Sequence, residues 1–95
     1  MELTIFELSG CPYCAQERRI IAELVREHPE YGKITIRRID EAKDRVLADQ
    51  YDYYYVPSIF RGKEKLYEAD PSWSRAEAKE KIEAVLRESL AHEIL

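Results

Sequence analysis

The chain has 95 residues, 45% of them hydrophobic and 36% charged, which is room for one compact domain spanning residues 1–95 and leaves none for a second. That composition suits a globule with a buried core and argues against intrinsic disorder. With Lys+Arg 15 against Asp+Glu 19, the formal net charge of -4 gives no general attraction to phosphate backbones or anionic lipid, so neither a nucleic acid nor a membrane surface is an expected partner.

The segment from Met1 to Leu8 has neither the basic start nor the apolar stretch of a secretory signal. No later segment approaches the roughly 18 continuous apolar residues of a spanning helix, so a cytoplasmic location is expected. Leu3 to Leu8 carries apolar residues on both alternating faces, as in a strand covered on two sides. Ser9-Gly10 breaks it. Pro12 then suits the first position of a helix, because its fixed φ fits and its missing N–H would have been unpaired there anyway. This places Cys11 at the N-cap. Ala15, Ile21, Ala22, Leu24, Val25 and His28 recur at helical spacing against a polar face that includes Glu17, Arg18 and Glu23. The helix should stop near His28-Pro29, since a residue before proline is pushed out of the α region.

Ile34 to Ile39 reads as a second strand with one poorly covered face, near a sheet edge. The two strands and their crossover form a βαβ unit, for which parallel pairing is expected. Asp40 can cap a second helix running to about Gln50, with Ala42, Val46 and Leu47 inward. Val56 to Phe60, Arg61-Gly62-Lys63 and Lys65 to Tyr67 form an antiparallel hairpin pattern. Either Asp70-Pro71 or the capping box Ser74-Arg75-Ala76-Glu77 opens a last helix to about Ala91, with Ala78, Ile82, Val85, Leu86 and Leu90 buried. The resulting order is βαβαββα: an α/β domain with one mixed four-stranded sheet flanked by helices.

The two cysteines, Cys11 and Cys14, exclude a scaffold of several disulfides. A bridge between them closes too small a loop to constrain the unfolded chain much. His28 and His92 do not supply the spacing of a zinc site, so no metal is expected. Thiol–disulfide exchange needs one ionised thiol and a second close enough to resolve the mixed disulfide. At a helix N-terminus, Cys11 faces unpaired N–H groups and the positive end of the dipole, which favour its thiolate. Cys14, one turn inside, should be shielded. Cys11 is therefore the expected nucleophile and Cys14 the expected resolving thiol.

Cys11-Pro12-Tyr13-Cys14 after a short strand, with Val56-Pro57 before the hairpin, resembles a dithiol glutaredoxin of the thioredoxin-fold superfamily over nearly the whole chain. The resemblance implies a thioredoxin-like fold and a thiol–disulfide oxidoreductase that acts on disulfide-containing proteins or glutathione mixed disulfides as a monomer, with no bound cofactor. It also implies a cis peptide before Pro57, against the alternative of a trans proline opening an edge strand. Tyr13, Val56 and Pro57 would then contact substrate, with Tyr55 and Asp70 as further candidates. Relatives that use glutathione usually carry Gly-Gly and then Asp after the hairpin. Here Tyr67 and Glu68 stand near the Gly-Gly positions and Asp70 near the acidic one, and Tyr55 replaces the usual Thr before Val-Pro. The implied electron donor is glutathione, or a thioredoxin-reductase-like flavoenzyme if the altered hairpin has lost that site. A non-catalytic adaptor, or an iron–sulfur module shared between two subunits, is the alternative from another class.

Two further features carry two readings each. Tyr51, Tyr53, Tyr54 and Tyr55 either pack a half-buried segment or border the cysteines. Arg18 and Arg19 either lie on a solvated helix face, or draw an anionic substrate or favour the thiolate. Trp73 packs the start of the last helix.

Overall fold

The computed structural model describes the backbone of residues 2–94 and the side chains of residues 2–92. Strand β1 (Glu2–Glu7) leads into helix α1 (Pro12–Glu27), a 3-10 turn (Pro29–Lys33), strand β2 (Thr35–Asp40), the short helix α2 (Arg45–Ala48), the hairpin β3 (Ser58–Arg61) and β4 (Glu64–Glu68), and helix α3 (Arg75–Ile94). The strands form one mixed sheet in the order β2-β1-β3-β4. β1 runs parallel to β2, with Ile5 opposite Arg38, and antiparallel to β3, with Ile5 opposite Ile59. β2 is thus an edge strand, as its alternation predicts.

Four successive buried residues, Leu3 to Phe6, show why β1 reads as covered on both sides. Leu3, Ile5 and Ile59 face a core filled by Ile20, Ile21 and Leu24 of α1 and by Ile82, Val85 and Leu86 of α3. Phe6 and Phe60 point the other way, against Ile39, Ala48 and the rings of Tyr51 and Tyr53. The helices α1 and α3 are also clasped at the surface, where Glu23 accepts from Arg75 at 2.7 Å and Lys79 at 2.6 Å. In the β3–β4 turn Gly62 adopts φ +60, a left-handed conformation that glycine reaches without a Cβ penalty. Among the described residues no helix is long and apolar enough to cross a membrane.

Two expectations need correction. The second helix is not an Asp40–Gln50 element. Asp40 ends β2, and its carboxylate accepts the Ala42 N–H at 2.9 Å while its carbonyl accepts from Lys43 and Asp44, which makes a tight turn. Asp44 caps the helix instead, accepting the Leu47 N–H at 3.3 Å. One turn of helix buries Ala48 and partly Leu47, leaving Ala42 exposed and Val46 at 76% exposure. In α1 the buried stripe is Cys14, Glu17, Ile20, Ile21 and Leu24, so Glu17 lies inside and Ala22 and His28 outside. The stripe is shifted because Glu17 finds a cation in β2. At α3 the Ser74 capping box forms, with reciprocal bonds of 3.1 Å between Ser74 and Glu77. The helix continues past Ala91.

Candidate active site

β1 ends at Glu7, and the chain turns through Gly10, whose φ of +78 a side chain would strain. Cys11 then sits at the N-cap of α1 with extended dihedrals, φ -80 and ψ 118, and Pro12 opens the first turn. Cys11 Sγ accepts the Cys14 N–H at 3.3 Å, taking the place of the oxygen of an ordinary Ser or Asp cap. An N–H aimed at sulfur and the helix dipole both stabilise negative charge there.

The two thiols, both free, have unlike surroundings. Cys11 is half-buried, whereas Cys14 is fully enclosed at 0% exposure. Burial, then the hydrogen bond with Cys11, pushes the Cys14 thiol up to about 12, against a smaller opposing effect of a backbone bond at Leu8. Near neutral pH the inner thiol keeps its proton.

The loop before β3 supplies the other wall. The Val56–Pro57 peptide is cis, and Cys11 Sγ donates to the Val56 carbonyl at 3.8 Å. Pro57 is buried, and its carbonyl accepts the Ala69 N–H at 3.0 Å, tying the loop to the end of β4. The structure therefore gathers Cys11, Cys14, Val56 and Pro57 at one point, where the N-terminus of α1 meets the loop entering β3.

No protein-family model and no curated protein sequence matches the chain. Solved structures do match in fold. One, described as the structure of a malarial protein, has a TM-score of 0.58 and 22% identity over 87% of this chain and 93% of its own. Another, thioredoxin 1 from the thermophilic eubacterium Thermosipho africanus TCF52B, has a TM-score of 0.58 and 20% identity over 94% of this chain and 98% of its own. The fold is thioredoxin-like.

Within this thioredoxin-like fold the remaining candidate residues divide between exposed surface, core and a groove beside the Tyr55 loop. Tyr13, in the first turn of α1, is 42% exposed, and Tyr55, next to Val56, is 57% exposed. Tyr54 is more open still, at 87%. Tyr51 and Tyr53 instead pack on Phe6, with ring centroids 4.7 and 5.1 Å away, so the tyrosine cluster divides between core and surface. Asp70 does not cap α3. Its carboxylate accepts the N–H and hydroxyl of Ser72 at 2.9 and 2.8 Å, which hold its carboxyl below the usual range. It lines a groove of about 450 Å³ with Tyr55, Glu68, Ala69, Pro71 and Trp73. Arg18 is bound to Glu7 at 3.1 Å, while Arg19 is exposed. Trp73 packs on Tyr67, with centroids 5.8 Å apart.

Two residues with consequences for the site escape the sequence patterns. Glu17, one turn beyond Cys14, is 1% exposed and held bidentately by Arg38 at 2.8 and 3.0 Å. Its signal lies in β2, where Arg38 shares the parity of Ile34 and Ile36, and a cation on that face calls for an acidic partner. Glu68 reaches from β4 to the backbone N–H groups of Tyr54 and Tyr55 at 2.5 and 2.8 Å. Nothing in the sequence marks a contact between those two segments.

Proposed function

We propose that the protein is a thiol–disulfide oxidoreductase of the dithiol, glutaredoxin-like type, with Cys11 as nucleophile and Cys14 as resolving thiol. The observation that carries this reading is the inequality of the two thiols: a half-buried Cys11 whose sulfur accepts the Cys14 N–H, and an enclosed Cys14 pushed up to about 12. One sulfur is ready to attack while the other waits, protonated, within the same turn.

In the reaction, the Cys11 thiolate attacks one sulfur of a substrate disulfide, the S–S bond breaks, and the first substrate thiol leaves with a proton from solvent. The Cys14 thiol then gives up its proton and attacks Cys11 Sγ. The mixed disulfide breaks and the second substrate thiol departs protonated. The substrate has gained two electrons, and the protein carries a Cys11–Cys14 bridge that needs an external reductant, either two glutathione molecules or a flavoenzyme reductase. No bound cofactor takes part. The Val56 backbone beside the sulfur and the exposed rings of Tyr13 and Tyr55 are the proposed contacts for a polypeptide substrate, with Asp70 further along the groove.

Cys11→Ser is expected to abolish exchange, whereas Cys14→Ser should trap the mixed disulfide or keep only one-thiol turnover. Equal tolerance of the two substitutions defeats the reading. Turnover of a test disulfide, coupled to glutathione and to a flavoenzyme in separate assays, assigns the donor.

A further inference from the structure

The loop entering Pro57 presents two consecutive backbone N–H groups to a single oxygen, since Glu68 Oε2 accepts from Tyr54 at 2.5 Å and from Tyr55 at 2.8 Å. Glu68 Oε1 accepts Lys65 Nζ at 2.8 Å. Two successive amides and an ammonium group are a donor set that recognises a carboxylate, and charge-assisted bonds of this length are strong ones. Here the carboxylate comes from the chain itself. Tyr55 precedes Val56, whose carbonyl lies 3.8 Å from the reactive sulfur. Tyr55 and Glu68 also line the groove of about 450 Å³, to which Asp70 adds a second carboxylate. Tyr55 joins that groove to Val56, so a molecule held at Cys11 that extends past Val56 into the groove would meet Glu68.

We propose that Glu68 is a specificity-determining residue: it occupies a carboxylate cradle beside the thiol as a built-in ligand, and so directs exchange toward disulfides with neutral or cationic flanking groups. The inference rests on the thiol–disulfide reading and narrows its substrate class. A cystine within a polypeptide, flanked by amides, fits the filled cradle. A short thiol peptide with a free carboxylate at that position, glutathione included, meets like charge and finds its donors taken.

Glu68 is not the loop's sole support. Ser58 Oγ donates to the Tyr55 carbonyl at 2.6 Å, and the Tyr53 ring stacks on Phe6 at 5.1 Å, so the cradle should survive loss of the carboxyl. Emptied, it would keep both amides and Lys65.

The test uses a pair of probes that cannot exchange, N-acetyl-S-methylcysteinylglycine as its free acid and as its amide. Their binding to the wild-type protein, Glu68→Gln and Glu68→Ala is followed by the backbone amide resonances. The free acid should bind Glu68→Ala about tenfold more tightly than wild type, as expected for exposing charge-assisted donors, and should move the Tyr54 and Tyr55 resonances. The amide should bind all three proteins alike. Glu68→Gln, which loses the charge but keeps an acceptor, should fall between, and adding Lys65→Met to Glu68→Ala should remove most of the gain. Equal binding of acid and amide by wild type, or a gain in Glu68→Ala without movement at Tyr54 and Tyr55, overturns the proposal. A loosened loop in Glu68→Ala does not rescue it, because the wild-type preference and the Glu68→Gln result stand on their own. Binding of these probes does not require Cys11 chemistry, so its outcome is distinct from a failure of thiol exchange in the cysteine variants.

Discussion

Removing the two partners of the Glu17–Arg38 pair should have unequal consequences, because the partners are unequally buried. Glu17 is 1% exposed and Arg38 28%, and Arg38 also donates to Glu7 at 3.2 Å. Arg38→Met strands a carboxylate in the interior, a loss of about 3–5 kcal/mol by the usual cost of breaking a buried pair from one side. Glu17→Leu leaves a guanidinium that keeps Glu7 and reaches water, so about 1–2 kcal/mol is expected. The double replacement should cost about as much as Glu17→Leu alone, so the coupling in a double-mutant cycle should be about 3–5 kcal/mol, nearly the whole Arg38→Met loss. Protonation adds a second signature. Burial already pushes the Glu17 carboxyl up, outweighing the opposing pull of Arg38. A carboxyl whose folded pKa lies above its unfolded value contributes stability that is complete below the unfolded value and is lost as pH rises through the folded one. Without Arg38 the folded pKa climbs further, so the Arg38→Met deficit should be smaller at about pH 5 than at about pH 8. Urea unfolding followed by far-UV circular dichroism at both pH values measures each quantity. If Arg38→Met costs no more than Glu17→Leu, or costs the same at both pH values, the assignment of the burden to the buried carboxylate is wrong.

Iodoacetamide near neutral pH should label Cys11 and spare Cys14, the enclosed thiol pushed up to about 12. Peptide mapping reads this directly, and comparable labelling of both residues in the folded protein would contradict the inequality on which the mechanism rests. The Glu23 carboxyl is held down at about 2 by its hydrogen bonds from Lys79 and Arg75, from an ordinary value of 4.5. A depressed pKa contributes stability above the unfolded value that disappears as pH falls through the folded one, so the advantage of wild type over Glu23→Gln should fade between about pH 4.5 and about pH 2. An advantage that persists unchanged across that window counts against the clasp between α1 and α3. Added salt should also shrink the difference, since the clasp is near solvent.

The sequence conveys the elements that bury regular apolar patterns, and it conveys the cysteines. Leu3 to Phe6, the β3–β4 turn at Gly62 and the Ser74 capping box are local rules that tertiary structure had no reason to override. Cys11 is legible as an N-cap because Gly10 and Pro12 bracket it. The second helix is less legible because Asp40 and Asp44 are equivalent as caps in sequence, and the choice falls to whichever carboxylate the end of β2 leaves free. Glu17 is hidden for another reason: helical periodicity assigns an acid to the outside unless its partner, here 21 residues away, is already known. Glu68, at the end of β4, is the same problem, since its hydrogen-bond donors are backbone N–H groups of a loop and no residue identity announces them. The contacts hidden from sequence are long-range and polar, and one of them, that of Glu68 with Tyr54 and Tyr55, ties down the loop that carries Val56.

The wall carrying Val56 has no regular secondary structure of its own, so its position against Cys11 depends on side chains that pin residues 51–56 to the sheet. Tyr53 makes two such attachments. Its ring stacks on Phe6 at 5.1 Å and lies edge-on to Phe60 at 6.1 Å, and its hydroxyl donates to Glu41. Burial, then the bond to Glu41, pushes the hydroxyl up, so it remains a donor across the working pH range. The attachments separate by substitution. Tyr53→Phe keeps the ring and removes the bond to a carboxylate that can rehydrate, a loss of about 1 kcal/mol. Tyr53→Ala opens a gap beside Phe6 and Phe60 and should cost about 3 kcal/mol or more. If packing places the Val56 carbonyl, Tyr53→Phe leaves kcat/KM for disulfide exchange close to wild type, while Tyr53→Ala lowers it even at temperatures where the variant is fully folded. Equal loss of exchange in the two variants would shift the placing of Val56 from the aromatic cluster to the Glu41 bond.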